Sequence, residues 1–436
     1  MMKRRDFLRI SAAGAVAGVW PGLRPGAALA LDRTLAGTGT LDPMATASDE
    51  VFWREVRAQY LPTDDHLDFD QASCSPTARP VFDGYIARSR ALSAGPAERF
   101  TKLWAGEVGE AVYPALADLF GTQPKHIALM LNATTALNTV LHGFPMKPAD
   151  EILVTNHEYP DMVQVLQQRA RREGVVMRVV DVPRPDEDRV SLVERVSAAI
   201  SPRTRLLLIS HVSAWSGEIL PVAEVTAAAR RRGVSVLVDA AQSVGMLDVN
   251  FEAIGCDFLA TSLHKWLGAP IASGVLVMRP EHVGRVWPLH PPAWDTTRYP
   301  MDLYEWSGTV DMAARAAVVD ALAFQKMIGS DRKRARMRYL GDYWQAQLQD
   351  ESRVRLLTPR DPERSFGVAA LEMQGVSSTA LQKHLRDTTG ILVQDKAGRH
   401  SPFASAVRVS PGPHAMPAEL DRFVAAIREV ARRGLP

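Results

Sequence analysis

The chain has 436 residues, 46% hydrophobic and 23% charged, an ordinary globular composition long enough for one large and one smaller domain. Its formal net charge of +2 sits in the first 30 residues, where Lys3, Arg4, Arg5, Arg9 and Arg24 face Asp6; without them the count is about −2, and no basic stripe points to nucleic acid. Cys74 and Cys256 are too few for a disulfide framework and lack the C-x-x-C spacing of a zinc site.

Residues 1–30 read as an export signal. A charged start, Lys3-Arg4-Arg5-Asp6-Phe7-Leu8-Arg9, precedes a weakly apolar run from Ile10 to Trp20, and Ala28-Leu29-Ala30 supplies an A-x-A cleavage pattern with the cut expected after Ala30. The run is too short to span a membrane stably, which takes about 20 apolar residues. The paired arginines resemble a bacterial twin-arginine (Tat) signal, which implies the Tat translocon as partner and the periplasm as destination. Residues 31–50, rich in Thr, Gly, Ala and Asp, read as a flexible spacer, and 51–84 as an N-terminal arm of the smaller domain.

Over 85–310 strands and helices alternate. Asn132-Ala133-Thr134-Thr135 precedes a helical stretch. Continuous apolar runs at 151–155, 205–210, 234–239 and 273–278 predict strands covered on both faces. Helical spacing over 161–173 and 221–232 ends at Gly174 and Gly233, as C-caps do. This alternation predicts a large, mostly parallel α/β domain. From 311 to 436 the pattern becomes α+β. A long helical region to about 351 breaks near Gly329-Ser330. Strands follow at 354–357, 366–373, 391–394 and 406–409, with helices over 378–388 and 417–433.

The chemistry concentrates at two strand ends. Asp239 closes a buried run, with Gln242 three residues on. Ser262-Leu263-His264-Lys265 follows the apolar stretch Phe258-Leu-Ala. Ligands of open α/β sheets bind beyond the carboxyl ends of strands. A carboxylate there can keep a heteroaromatic nitrogen protonated. A partly desolvated lysine is neutral and nucleophilic. Ser262 and His264 can donate to a phosphate, as can a helix N-terminus at Ala133 and Thr134. Each of these residues alone is ordinary; their order along the chain is not.

That ordered set resembles the class V aminotransferase family of fold-type I pyridoxal-phosphate (PLP) enzymes, over about His66 to Arg432. Its isopenicillin-N-epimerase-like branch is matched by His264-Lys265-Trp266-Leu267-Gly268-Ala269-Pro270 and Gly308-Thr309-Val310-Asp311, and His66-Leu67-Asp68-Phe69 with Ala72-Ser73 resembles the opening segment of the family as a whole. The resemblance implies the PLP-dependent transferase fold, a homodimer, and PLP as cofactor. It makes Lys265 the Schiff-base lysine that forms the external aldimine with an amino substrate and shuttles its α-proton. Asp239 pairs with the pyridine nitrogen and Gln242 with the ring 3′-oxygen. Ala133, Thr134, Ser262 and His264 hold the phosphate, and Tyr159 stacks on the ring. Thr309 reaches the neighbouring subunit's phosphate, and Arg408 binds the substrate α-carboxylate.

Three positions depart from the family. The loop Asp395-Lys-Ala-Gly-Arg-His-Ser-Pro-Phe403 lacks the nucleophilic cysteine of cysteine desulfurases, and Cys74 lies elsewhere in the chain, so persulfide chemistry is not expected. Ala214 stands where many relatives have asparagine on the 3′-oxygen, which leaves Ser213 or Gln242 to compensate. Thr135 replaces a usual glutamate. The expected activity is aminotransferase-type, on a small-molecule or peptide-like amino substrate in the periplasm, where some exported relatives modify a glutamyl residue of a siderophore precursor. Epimerase or β-lyase chemistry is the alternative, and a PLP-fold binding protein without turnover the alternative of another class.

Overall fold

The computed structural model describes residues 42–62, 66–297 and 299–435. The leader at 1–30 and the spacer to residue 41 lie outside the described residues. The spacer expected over 31–50 ends early, because Pro43–Ala47 is a short helix capped by the Asp42 carboxylate. Its Ala47 carbonyl accepts from the buried Arg336 guanidinium, which fixes it to the body of the protein.

A seven-stranded sheet forms the centre, in the order β2-β8-β7-β6-β5-β3-β4. The strands are β2 (Ile127–Met130), β3 (Glu151–Thr155), β4 (Val176–Val180), β5 (Thr204–Ser210), β6 (Ser235–Asp239), β7 (Phe258–Ser262) and β8 (Gly274–Met278). β3 to β7 run parallel, and only β8 is antiparallel to its neighbours β2 and β7. Apolar side chains fill both faces, as the unbroken hydrophobic runs require. The short run of β2 and the half-exposed β4 carried too little signal to read from sequence.

A four-stranded antiparallel sheet, β12-β13-β10-β9, forms the second unit. It contains β9 (Val354–Leu356), β10 (Ala369–Met373), β12 (Gln394–Asp395) and β13 (Val407–Val409). Beside it β1 (Leu67–Asp68) pairs in parallel with β11 (Ile391–Leu392). The single strand expected over 391–394 is therefore two, belonging to different sheets. The helices Ser330–Leu348 and Pro417–Arg433 cover this unit through Leu340, Trp344, Phe423 and Ile427.

The boundary expected at 311 lies later. Met312, Val318, Ala321 and Phe324 pack into the core of the large sheet, and the chain turns to the second unit only at Gly329 (φ 89°). The residues around 311–328 are apolar on the face that meets the helix Arg79–Ala94, and burial there decides their allegiance.

Two glycines bring the functional segments together. A Cβ on Gly274 would lie 2.6 Å from Asn132 Cα, so β8 and the entry to the helix Ala133–Gly143 approach only because the side chain is absent. Gly245 (φ 87°) stands in the same relation to the Trp266–Leu267 backbone, the turn that carries Lys265.

Candidate active site

The carboxyl ends of β5, β6 and β7 open into a cavity of about 350 Å³. Ala133, Thr134, Tyr159, Asp239, Gln242, Ser262, His264, Lys265 and Arg408 all line it. These residues span 276 positions of sequence from Ala133 to Arg408. Thr309 does not line it; that residue is exposed, on the segment after the helix Asp302–Glu305.

Asp239 ends β6 and is buried, its Oδ1 accepting the Ala241 N–H at 2.9 Å. Burial raises its pKa above the usual carboxylate range, and the nearby Lys265 charge works against that rise. Lys265 is largely enclosed. Loss of water lowers its amine to about 8, with Asp239 opposing and Arg408 adding to the fall. Beneath them Glu158 is completely buried and pushed up to about 7, despite accepting from Thr155 Oγ1 and Ser210.

Gln242 is held by geometry that fixes which way its amide points. The Trp266 indole N–H, which can only donate, meets Gln242 Oε1 at 2.9 Å. Gln242 Nε2 donates to the Ala72 carbonyl at 2.8 Å and keeps one hydrogen uncommitted. Of the two residues expected to compensate for Ala214, only Gln242 lines the cavity. Ser213 is turned into its own loop, its Oγ accepting from Trp215 and Ser216.

At the start of the helix Ala133–Gly143, Asn132 Oδ1 accepts the Thr135 N–H at 2.8 Å and its hydroxyl at 3.1 Å. Capping is intact with threonine at 135. The Ala133 N–H donates to Ser262 Oγ at 2.8 Å, so it is engaged with the protein itself. That bond leaves the Ser262 hydroxyl hydrogen free to donate. The Thr134 N–H makes no hydrogen bond among the described residues. His264 Nδ1 is buried and unpartnered.

Arg408 enters from β13. Its Nη2 donates to Asp70 Oδ1 at 2.7 Å and Ser73 Oγ at 3.0 Å, and its Nη1 to the Ala214 carbonyl at 2.8 Å. The guanidinium reaches the cavity with both outer nitrogens engaged.

Sequence reading missed Asp70, Ser210, Gln394 and Lys396. Lys396 stands in the 395–403 loop, which lacks the desulfurase cysteine. The signal that could have found it is register: Gln394 pairs with Arg408 across β12 and β13, so the loop leaves β12 beside the arginine. Cys74 is another correction. It is remote in sequence from the lysine, yet its Sγ lies 3.9 Å from the His264 carbonyl because the 70–75 segment folds over that turn. Burial raises its thiol pKa, which makes it a weak nucleophile. Cys256 is a core residue.

A seven-stranded, mostly parallel sheet with a lysine and an aspartate at its strand ends and a second α+β unit defines fold-type I of the PLP-dependent enzymes. A C-DES variant with glycine covalently linked to its PLP cofactor superposes with a TM-score of 0.75, at 22% identity over 85% of this chain and 98% of that one. The model of the aminotransferase class-V family matches residues 69–423. The isopenicillin N epimerase of Streptomyces clavuligerus is 31% identical over 86% of this chain and 97% of its own length. That of Amycolatopsis lactamdurans is 32% identical over 87% and 99%. The chain belongs to the class-V aminotransferase family.

Proposed function

We propose that this chain binds PLP on Lys265 and removes the α-proton of an amino acid, or of an amino-acid residue in a peptide-like substrate, with aminotransferase-type outcome. The observation that carries this reading is the meeting of Lys265 and Asp239 in one water-poor cavity at the ends of adjacent parallel strands.

The residues present fit the cofactor. A phosphate would find the free Thr134 N–H, the Ser262 hydroxyl and the unpartnered His264 Nδ1 at the positive end of a helix. The Ala133 amide would contribute through Ser262 rather than directly. Asp239 would pair with the ring nitrogen, the free hydrogen of Gln242 would meet the ring oxygen, and Tyr159, 37% exposed, would cover the ring. When bound, the cofactor supplies an electron-withdrawing ring that stabilises negative charge at the substrate α-carbon.

The chain's own groups then divide the work. Asp239, whose pKa burial raises against the pull of the Ala241 N–H and the Lys265 charge, would be held as an anion by the protonated ring nitrogen of the cofactor. Lys265, lowered to about 8, exchanges a proton near neutral pH, where a general base is most effective. The enclosing walls keep water from quenching the carbanionic charge.

The epimerase relatives, aligned over nearly their whole length, favour a second reading in which the proton returns to the α-carbon. Incubating the holoenzyme with amino acids in deuterated water separates the two. Conversion of the cofactor to its amine form supports transamination. Deuterium at the α-carbon without that conversion overturns it in favour of epimerisation.

Two further elements belong to the proposal. The exposed Thr309 serves the neighbouring subunit's phosphate in a homodimer. This is supported by the exposed aromatics Trp287, Trp294, Tyr299 and Trp306 on the preceding segment, an apolar surface of the kind that interfaces cover. Residues 1–30 direct export to the periplasm by a Tat-type route. Among the described residues no helix is long and apolar enough to cross a membrane.

A further inference from the structure

We infer that Lys333, together with Gln325, is a positioning residue for Lys265: the pair holds the turn that presents that lysine to the cavity. The inference rests on the reading above that Lys265 carries the cofactor, and it adds what fixes the lysine from behind.

The turn leaves four carbonyls in succession, and each has a partner. The His264 carbonyl accepts the Ser75 N–H at 3.2 Å, and the Lys265 carbonyl accepts the Gly268 N–H at 2.9 Å within the turn itself. Among the described residues no backbone N–H meets the next two. The Trp266 carbonyl accepts from Lys333 Nζ, and the Leu267 carbonyl from Gln325 Nε2 at 3.0 Å. Lys333 Nζ also donates to Gln325 Oε1 at 2.8 Å, which fixes the way that amide points. The two side chains and the 266–267 peptide thus close a ring of hydrogen bonds. On the other side Gly245 leaves the turn no room to retreat, since even a Cβ there would lie 2.7 Å from Leu267 N.

This clamp spans the place where the chain passes from one unit to the other. Gln325 lies in the helix Val318–Ile328, which packs into the core of the large sheet, and Lys333 in the first turn of Ser330–Leu348, which covers the second unit. Gly329 turns the chain between them. Three residues after Lys333, Arg336 donates to the Pro413 and Ala415 carbonyls of the second unit. Met337 and Phe366 share an apolar cluster with the Trp266 ring. The second unit therefore grips Trp266 by its carbonyl and by its ring, and the place of Lys265 is set by the unit that also carries Arg408.

A lysine works against stability at this position. Lys333 is buried, makes no ion pair among the described residues, and has two neutral acceptors. His414, the titratable side chain that feels its charge, is itself kept neutral by burial, at about 4. Desolvation lowers the Lys333 amine to about 7. An enclosed ammonium without a counter-ion destabilises a fold, and an apolar side chain of similar shape commonly does no worse. What the ammonium contributes is a charge-assisted hydrogen bond to the peptide beside Lys265, stronger than a neutral donor makes. A local choice that opposes stability finds its compensation in function.

The test sets cofactor binding against fold stability. PLP is titrated into cofactor-free full-length protein, and urea unfolds the same cofactor-free protein. Lys333→Met should weaken PLP binding by about tenfold, the worth of one charge-assisted hydrogen bond. It should also move the pH at which the visible band of the loaded protein titrates by about half a unit, while the urea midpoint stays level or rises. Gln325→Leu removes the second donor and no charge; it should weaken PLP binding by about threefold and move the band in the same direction. The double variant should lose less than the product of the two, because either change alone opens the ring. Gln325→Leu decides the question where Lys333→Met folds poorly. A band that titrates at the wild-type pH in the folded variants, with unchanged PLP affinity, makes Lys333 a structural residue and overturns the inference, whatever the midpoint does. Wild type that fixes no pyridoxyl group on Lys265 under borohydride overturns the cofactor reading and the inference with it, an outcome distinct from variants that match a loaded wild type.

Discussion

The two walls of the cavity are built on different principles. On the cofactor side, Asp239, Ser262 and Lys265 sit at or just beyond the ends of adjacent parallel strands, and each polar group has a partner or a designated opening. On the opposite wall, Arg408 and Lys396 come from a small antiparallel sheet and its loop, and they leave one charge matched and one unmatched. The first wall is rigid because a seven-stranded sheet fixes it. The second is where recognition can vary without disturbing the fold, since it depends on one short strand pair and one docked loop.

The sharpest way to break this division is to ask which lysine carries the cofactor. Both line the cavity, and burial lowers both amines, Lys265 to about 8 and Lys396 to about 6. Lys265→Ala is expected to reduce turnover by about 10³-fold or more, as loss of both the nucleophile and the proton carrier requires. Borohydride reduction followed by peptide mass spectrometry should find the pyridoxyl group on Lys265 in wild type. A label on Lys396 would exchange the roles of the two walls.

The next largest effect concerns the matched charge. Arg408→Gln strands Asp70, whose side chain is 20% exposed, without its cation. Breaking an enclosed pair this way costs about 3 kcal/mol of stability. Adding Asp70→Asn should recover much of that loss, a coupling that a double-mutant cycle in urea reads directly. Independent, additive losses would mean that the pair is incidental to the wall.

The contrast between the walls also explains what the sequence made legible. Continuous apolar runs announced β3, β5, β6 and β8, and chain order along a parallel sheet places successive strand ends side by side. Asp239 and Lys265 could therefore be put together from sequence alone. Asp70 could not, because it reaches Arg408 across a pairing of β1 with β11 and an isolated bridge to Ser410 that no local pattern encodes. Lys396 was hidden for another reason. A lysine in a polar loop is normally solvated, and only the docking of His400 and Phe403 on the large unit encloses it. The boundary at 311 moved for a similar cause: a helical pattern states which face is apolar but not which core it joins.

Acid should weaken the two walls unequally. His157 and His211, both buried beside the cofactor wall, are pushed by burial down to about 4 from 6.5. The unfolded chain takes up their protons first, so their contribution is whole above pH 6.5 and is lost as pH falls toward 4. At pH 5 each costs about 2 kcal/mol by this linkage. His211→Gln should flatten that part of the urea-midpoint profile between pH 7.5 and 5. Lys396 acts in a different window: its lowered pKa makes stability rise as pH climbs from about 6 toward 10.5, so Lys396→Met should flatten the alkaline part and leave the acid part alone.

The smallest effect falls where the walls are joined. Trp266 is 2% exposed and follows the lysine directly. Its indole fixes the Gln242 amide, while its carbonyl accepts from the buried Lys333 Nζ of the helix Ser330–Leu348. Trp266→Phe keeps the carbonyl and most of the packing but leaves Gln242 Oε1 without its donor. An unsatisfied buried acceptor costs about 1–3 kcal/mol, and the amide then keeps its orientation through the Ala72 carbonyl alone. The expected result is a loss of stability of about 1–2 kcal/mol, at the low end because Gln242 lines the cavity and can find water. Alongside it the pH at which the cofactor's visible band titrates should shift, because the donor facing the ring oxygen is held by one bond in place of two. Gln242→Glu, which presents only acceptors, should move that band in the same direction with tryptophan in place. A shift in stability with no shift in the band would make Trp266 a packing residue and return Gln242 to the rigid frame of the cofactor wall.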